Sequence, residues 1–204
     1  MKNLNGLFIT FEGPEASGKS SQIILLKKYL KKNKIPFLAT REPGGTVIAE
    51  KLRKIILHKK NKISDLEEIL LLMAARLNHI NSVIKPALNK GKIVISDRFA
   101  DSTFVYQGYV SGFGIKKAKD LHKKILNNFL PDITFLFILN PKEIIKRLKK
   151  RKIKNKYDKQ DIKFHKKISL GYYEISKNQK RFVKIVGNDD KNTIHNYILK
   201  KLSL

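Results

Sequence analysis

Five short apolar runs punctuate the chain. They are 7–11 (LFITF), 35–40 (IPFLAT), 92–96 (KIVIS), 133–139 (ITFLFIL) and 182–186 (FVKIV). Each is rich in β-branched and aromatic residues, and turn formers flank most of them: Gly13-Pro14, Pro43-Gly44-Gly45 and Pro131-Asp132. Runs of this kind predict strands buried on both faces. Between them the apolar period lengthens to that of a helix. From Lys19 onward Ile23, Ile24, Leu26 and Leu30 share one face with Lys on the other, and Asn33-Lys34 ends the segment. Helices are also predicted over 46–57, over 66–88 with Pro86 near its end, and over 116–130. Pro141 opens a basic helix, a favoured place for a proline, and a short helix follows the last strand. Strands that alternate with helices predict an α/β fold: a parallel sheet with helices on both faces. No internal repeat and no Ser/Gly-rich linker interrupts the 204 residues, so one domain is expected.

Composition adds limits to this picture. At 42% hydrophobic and 30% charged residues the chain suits a packed core rather than disorder. It has no cysteine, which excludes disulfides, zinc-thiolate sites and a thiol nucleophile. The apolar run in MKNLNGLFIT is too short for a signal peptide. No segment approaches the roughly 20 apolar residues of a bilayer span. A soluble cytoplasmic protein without a membrane partner is expected.

The net charge of +27 invites a nucleic-acid reading. Only seven of the 44 basic residues are Arg, however, and a dedicated phosphate-binding surface would use more of that planar fork. Excess Lys, Ile and Asn suggest, as a hypothesis, an AT-rich coding sequence; a GC-rich gene would refute it. Arg41, Arg53, Arg76 and Arg98 then stand out against a Lys background, each serving an anion or an ordinary surface role.

Gly13-Pro14-Glu15-Ala16-Ser17-Gly18-Lys19-Ser20 satisfies G-x-x-x-x-G-K-[ST], between a strand and a helix that continues with Ser21. Chance would supply the pattern in roughly one per cent of chains this long at average residue usage. Backbone N–H groups of such a loop cradle phosphates, Lys19 reaches the β- and γ-phosphates of a nucleotide, and the Ser20 hydroxyl binds Mg²⁺; motors, GTPases, recombinases and small-molecule kinases all carry the loop, so it does not name the reaction. Asp97, at the carboxyl end of the third strand, either holds Mg²⁺, directly or through water, or caps a turn. Arg98 beside it suits a second anion, a phosphate monoester.

Three segments carry a resemblance: GPEASGKS at 13–20, TREPGGT at 40–46 and DRFADSTFVYQG at 97–108. With AAR at 74–76 and the basic segment near 147–158, they resemble the bacterial form of the thymidylate kinase family, over nearly the whole chain to about Glu174. The resemblance implies a P-loop NTPase fold of three layers, with a five-stranded parallel sheet and a mobile lid near 147–158. It implies transfer of the γ-phosphoryl group of ATP to dTMP with Mg²⁺, by a homodimer and without a nucleic-acid partner. On this resemblance Lys19, Glu15, Asp97, Arg98 and the lid arginines Arg147 and Arg151 form the catalytic set. Glu15 lies near the acceptor nucleotide, and Glu42 closes over its site. Arg53 and Arg98 hold the acceptor phosphate, and Arg76 binds a thymine carbonyl. Thr103 and Gln107 contact the base, and Tyr106 crowds the 2′ position.

The chain departs from the family pattern at four places. Ala16 replaces a usual glycine. Leu72, one turn before Arg76, stands where a Phe stacks on thymine, which weakens stacking. Asn155-Lys156-Tyr157-Asp158 replaces an Asp-Arg-x-Glu pattern, so the lid cation is Arg147, Arg151 or Lys156. Phe99 takes a position often held by Tyr or His. A rival reading, a nucleic-acid-stimulated ATPase, rests on the charge alone. The five dispersed histidines read as ordinary helix or surface residues, and the stripe Leu70, Met73, Leu77 as core or dimer interface.

Overall fold

A computed structural model describes residues 6–58, 61–150, 157 and 160–204. Its centre is a five-stranded sheet: β1 (Leu7–Glu12), β2 (Phe37–Arg41), β3 (Ile93–Asp97), β4 (Ile133–Ile138) and β5 (Phe182–Val186). All neighbours run parallel, in the order β2-β3-β1-β4-β5. The chain therefore leaves β1 toward one edge and later crosses to the other. That reversal opens a crevice at the carboxyl end of β1, the place where open parallel sheets bind ligands. The register aligns Phe11 with Asp97, and Asp97 with Arg41, along that rim.

The two-residue period of the strands explains both layers. Ile9 and Phe11 point with Ile95, Phe135 and Phe137 toward α1 (Lys19–Lys32) and α9 (Lys191–Lys201). Phe8 points the other way, with Val94 and Leu136. There it meets α3 (Asp65–His79), α6 (Ile115–Leu126) and α8 (Ile162–Ser176). Burial on both faces is why the strands read as unbroken apolar runs. Two further helices, α2 (Val47–Leu57) and α7 (Pro141–Lys149), flank these layers.

The predicted strands all form, with ends displaced by one or two residues; 35–40 becomes Phe37–Arg41. The helix expected over 66–88 is instead α3, a π-helical turn at Ile80–Ile84 and α4 (Lys85–Asn89). Pro86 has no N–H to donate, and the wider turn takes up the mismatch. The helix expected over 116–130 stops at Leu126. Asn127 and Asn128 then take left-handed φ values of 49° and 52°, a conformation Asn tolerates.

Two helical regions lie outside the predicted set. The first is α5 (Ala100–Thr103), running into a second π-helical turn at Phe104–Val110. The second is α8. Its stripe of Phe164, Ile168, Tyr172 and Ile175 has helical spacing, but Gly171 argues against a helix interior. The structure explains that glycine: a Cβ at 171 would lie 2.9 Å from Val105 Cγ1, so only glycine lets α8 press this closely on the 104–110 turn.

Candidate active site

The phosphate loop follows from β1. Gly13 adopts φ 130°, and a Cβ there would sit 2.5 Å from the Phe137 carbonyl oxygen, so no other residue fits. Gly18 precedes α1 at φ 103°, and Ala16 is held at φ 55°, which explains why glycine is usual there. Helices α2, α3, α7, α8 and α9 each have a side-chain cap, from Thr46, Ser64, Asn140, Asp161 and Asp190. Helices α1 and α6 have neither a side-chain cap nor an acid in the first turn, but it is α1 that opens directly from the phosphate loop. Its free N–H groups and positive dipole end are left for an anion.

Lys19 is buried, with its ammonium donating to the Gly13 carbonyl at 2.9 Å and the Pro14 carbonyl at 2.5 Å. Burial, and next the Arg98 guanidinium, push it down to about 8. Ser17 Oγ donates to the Pro14 carbonyl and braces the loop, and Ser21 lines the cleft. Ser20 Oγ donates to Asp97 Oδ2 at 3.3 Å. A hydroxyl and a carboxylate side by side are hard oxygen donors, and they fit Mg²⁺ bound directly or through water.

Arg98 stands where β3 ends. Its backbone is left-handed at φ 71°, locked by its N–H to the Phe11 carbonyl (3.0 Å) and by Ser96 Oγ donating to its carbonyl (2.7 Å). This strained turn aims the side chain at the loop. Nη1 donates to the Gly13 carbonyl at 3.0 Å, and Nη2 to Glu15 Oε1 at 2.8 Å. Glu15 also accepts from Tyr106 Oη at 2.7 Å. Burial raises the Glu15 carboxyl, but Arg98, Lys19 and the Tyr106 hydroxyl outweigh it, so the group sits below its ordinary value. The Arg98 guanidinium carbon lies 5.3 Å from the centre of the Tyr106 ring.

A second cluster lies deeper. Arg76 is almost fully buried, with Nε donating to Glu42 Oε2 at 2.7 Å and Nη2 to Thr103 Oγ1 at 2.8 Å. Buried His79 bridges Glu42 Oε1 and Thr40 Oγ1, at 3.0 and 2.7 Å. Burial raises the Glu42 carboxyl, but Arg76 and His79 together hold it below its ordinary value. Gln107 Nε2 and Tyr157 Oη both donate to Glu68 Oε1 at 2.9 Å. Arg53 Nη1 donates to the Pro43 carbonyl at 2.7 Å, after a cis Glu42–Pro43 peptide.

One cleft of ≈ 560 Å³ joins the two clusters. Lys19, Ser20, Asp97 and Arg98 line it at the loop end, and Leu72, Arg76, Thr103, Tyr106 and Gln107 at the other. Arg53 and Glu42 lie on its wall. Arg147 reaches it too, donating to the Ala16 carbonyl at 3.3 Å and, on its far side, to the Gly187 carbonyl. Arg41 pairs at the surface with Glu50. Arg151 and Lys156 lie outside the described residues.

Sequence reasoning missed five participants: Glu12, Glu68, His79, Tyr157 and Tyr172. Two had a signal. Glu12 ends a strand whose alternation (Phe8, Thr10, Glu12) turns it toward α8, and a carboxylate there needs partners. His79 ends the AAR helix one turn beyond Arg76. Glu12 is fully buried and accepts from Phe99 N–H (2.7 Å), Ser102 Oγ (2.6 Å) and Tyr172 Oη (2.9 Å). Burial, and next the Asp101 carboxylate, push it up to about 7.

The chain's relatives share this plan. A family model described as thymidylate kinase matches residues 11–198. A thymidylate kinase of Mycoplasma capricolum subsp. capricolum is 42% identical over 198 residues, 95% of this chain and 93% of that protein. One of Rickettsia africae is 42% identical over 205 residues, 99% of this chain and 100% of that protein. The crystal structure of thymidylate kinase from Ehrlichia chaffeensis is 35% identical, with a TM-score of 0.77, covering 98% of this chain and 99% of that one. Matches of this length and identity leave one placement: the chain belongs to the thymidylate kinase family.

Proposed function

We propose that this protein transfers the γ-phosphoryl group of ATP to the 5′-phosphate of dTMP, giving dTDP and ADP. The observation that carries the reading is the position of Arg98: a fork for a second phosphate lies within hydrogen-bond distance of the loop that takes the first. An oxygen of the dTMP phosphate attacks Pγ, a P–O bond forms, and the bond from Pγ to the β-phosphate oxygen breaks. The attacking oxygen is already ionised, so the step needs no base. Its obstacle is repulsion between two anions, and catalysis consists of positioning and neutralisation.

Lys19 and the α1 N-terminus take the ATP phosphates, and Arg98 and Arg53 take the acceptor phosphate. Glu15 holds Arg98 on one side and Tyr106 on the other. It thereby sets the tyrosine ring against the sugar, where a 2′-hydroxyl would collide. Ser20 and Asp97 would hold Mg²⁺, which when bound draws charge from the β- and γ-phosphate oxygens. Arg147 adds positive charge at the loop; most of the 147–158 lid segment lies outside the described residues. At the base, Arg76 Nη1 has the Met73 sulfur at 3.9 Å as its one hydrogen-bond partner among the described residues. That leaves a donor for a thymine carbonyl, with Thr103 and Gln107 beside it. The protein works in the cytoplasm, with its nucleotide substrates; among the described residues no helix is long and apolar enough to cross a membrane.

Coupled ADP release across nucleoside monophosphates tests the reading. dTMP should turn over much faster than AMP, CMP or UMP. Release driven by another acceptor, or by DNA, would overturn it.

Leu72 gives a sharper expectation. It is nearly buried at the base end, where an aliphatic side chain contacts a ring without stacking. Leu72→Phe should lower the KM for dTMP several-fold, by about 1 kcal/mol of stacking. An unchanged or higher KM would show that the base lies elsewhere.

A homodimer is part of the same proposal. The stripe of α3 divides: Met73 is core, but Leu70 and Leu77 are exposed in line with Leu66, and the neighbouring α2 exposes Val47, Ile48 and Ile55. Apolar surface of this extent marks an interface. Sedimentation should give a mass of two chains, and Leu70→Asp should reduce it to one.

A further inference from the structure

We propose that Tyr172 is a positioning residue for the acceptor phosphate, its hydroxyl fixing the Arg98 guanidinium in register with the phosphate loop. The inference deepens the function proposed above and rests on it. Arg98 Nη1 has three acceptors in reach: the Gly13 carbonyl at 3.0 Å, Ser102 Oγ at 3.0 Å and Tyr172 Oη at 3.1 Å. Both donate to Glu12 Oε2, Ser102 at 2.6 Å and Tyr172 at 2.9 Å, and the two hydroxyls lie 3.1 Å apart; with Glu12 ionised, a lone pair of each is left for Arg98. Glu12 cannot turn away, because its other oxygen accepts from the N–H groups of Phe99 and Ser102, at 2.7 and 3.3 Å.

The result is a buried triangle in which a carboxylate orients two hydroxyls and the hydroxyls orient a guanidinium. Tyr172 alone brings a distant element into it. It rides on α8, which Gly171 allows to pack tightly on the 104–110 turn that carries Tyr106 and Gln107. Arg98 could keep its charge without Tyr172, but its Nη1 would be free to swing between the remaining acceptors. A fork that binds a phosphate monoester loses rate when its angle is loose, because phosphoryl transfer depends on alignment.

Tyr172→Phe removes one oxygen and keeps the ring. Glu12 retains three donors and Arg98 retains Gly13 and Ser102, so no buried polar atom is orphaned and the fold should persist. The expected result is a loss of about tenfold in kcat/KM for dTMP, the scale of one charge-assisted hydrogen bond. The KM for ATP should stay within about twofold, since the loop keeps its own contacts. A structural role alone would not give this split. The change should also vanish in an Arg98→Lys background, where the fork is already gone. Equal losses on both substrates, or a full tenfold loss in that background, would overturn the proposal.

A second readout needs no substrate. The ¹⁵N guanidinium signal of Arg98, identified by its absence in Arg98→Lys, should be resolved in the unmodified protein and averaged in Tyr172→Phe. An unchanged signal would overturn the positioning role even if dTMP proves to be the acceptor. Averaging, with no dTMP turnover by the unmodified protein, would uphold the role and refute the substrate. If Tyr172→Phe fails to fold, Ser102→Ala removes the other hydroxyl on the same nitrogen and should give the same split and averaging; neither appearing would overturn the triangle.

Discussion

Arg98→Ala is expected to lower kcat/KM for dTMP by about 10³-fold while ATP binding persists. The guanidinium meets Gly13 and Glu15 in the same fork, so under the proposed function its loss removes a cation that serves both phosphates. The fold should survive, because Glu15 keeps Tyr106 and Lys19 nearby. ATP binding should even strengthen at alkaline pH. Arg98 is the second cause, after burial, of the low Lys19 value, and without it the ammonium holds its proton longer. A coupled assay and equilibrium binding of a non-hydrolysable ATP analogue check both halves. Unchanged dTMP turnover would contradict the role of Arg98, and lost analogue binding would move that role to the loop.

Lys19→Ala should have an effect of similar size, lowering kcat by about 10³-fold, now with weakened ATP binding. Its pH signature is distinctive. The protonated ammonium binds phosphate, and in the free protein it loses its proton around 8. Bound phosphates favour the charged form, so ATP binding takes up a proton above that pH. Affinity for the analogue should therefore be flat below about pH 8 and fall as pH rises beyond it, with a limiting slope of about tenfold per unit. Lys19→Ala should be weak and flat throughout. A fall that persists in Lys19→Ala would assign the titration to another group.

Much of the site was legible in the sequence, for identifiable reasons. Buried parallel strands leave unbroken apolar runs, and a glycine with a left-handed backbone, such as Gly18, has no substitute without strain. The illegible parts were those made by tertiary contact. Glu68 meets Gln107 across two helices, a pairing that no local pattern marks. The π-helical turn at Phe104–Val110 does not follow the 3.6-residue period, so the apolar pattern does not mark it as helical. A glycine inside a helical stripe weakens its local signal, and the use of Gly171, a close helix contact, exists only in the folded chain. Arg181 sits in no motif, yet it forks onto buried Asp101 at 2.6 and 2.7 Å, beside Ser102. Asp97 and Arg98 were singled out individually; that the left-handed turn between strand and helix aims one at Ser20 and the other at Gly13 was visible only in three dimensions.

The carboxylate–hydroxyl triangle around Arg98 also bears on how the molecule is assembled. Ser102 lies 90 residues from Glu12, Tyr172 lies 160 from it, and Arg181 lies 80 from Asp101. Each of these contacts closes a long loop, with an entropy cost that local helices do not face. The phosphate loop mixes both kinds of contact: Ser17 and Lys19 brace it from within, while Asp97, Arg98, Tyr106 and Arg147 meet it from later in the chain. During synthesis the inner contacts of the loop can form first, its outer contacts wait for β3, the 104–110 turn and α7, and Tyr172 arrives later still, on α8. In chain order the triangle around Arg98 is therefore the last part of the cleft to be completed.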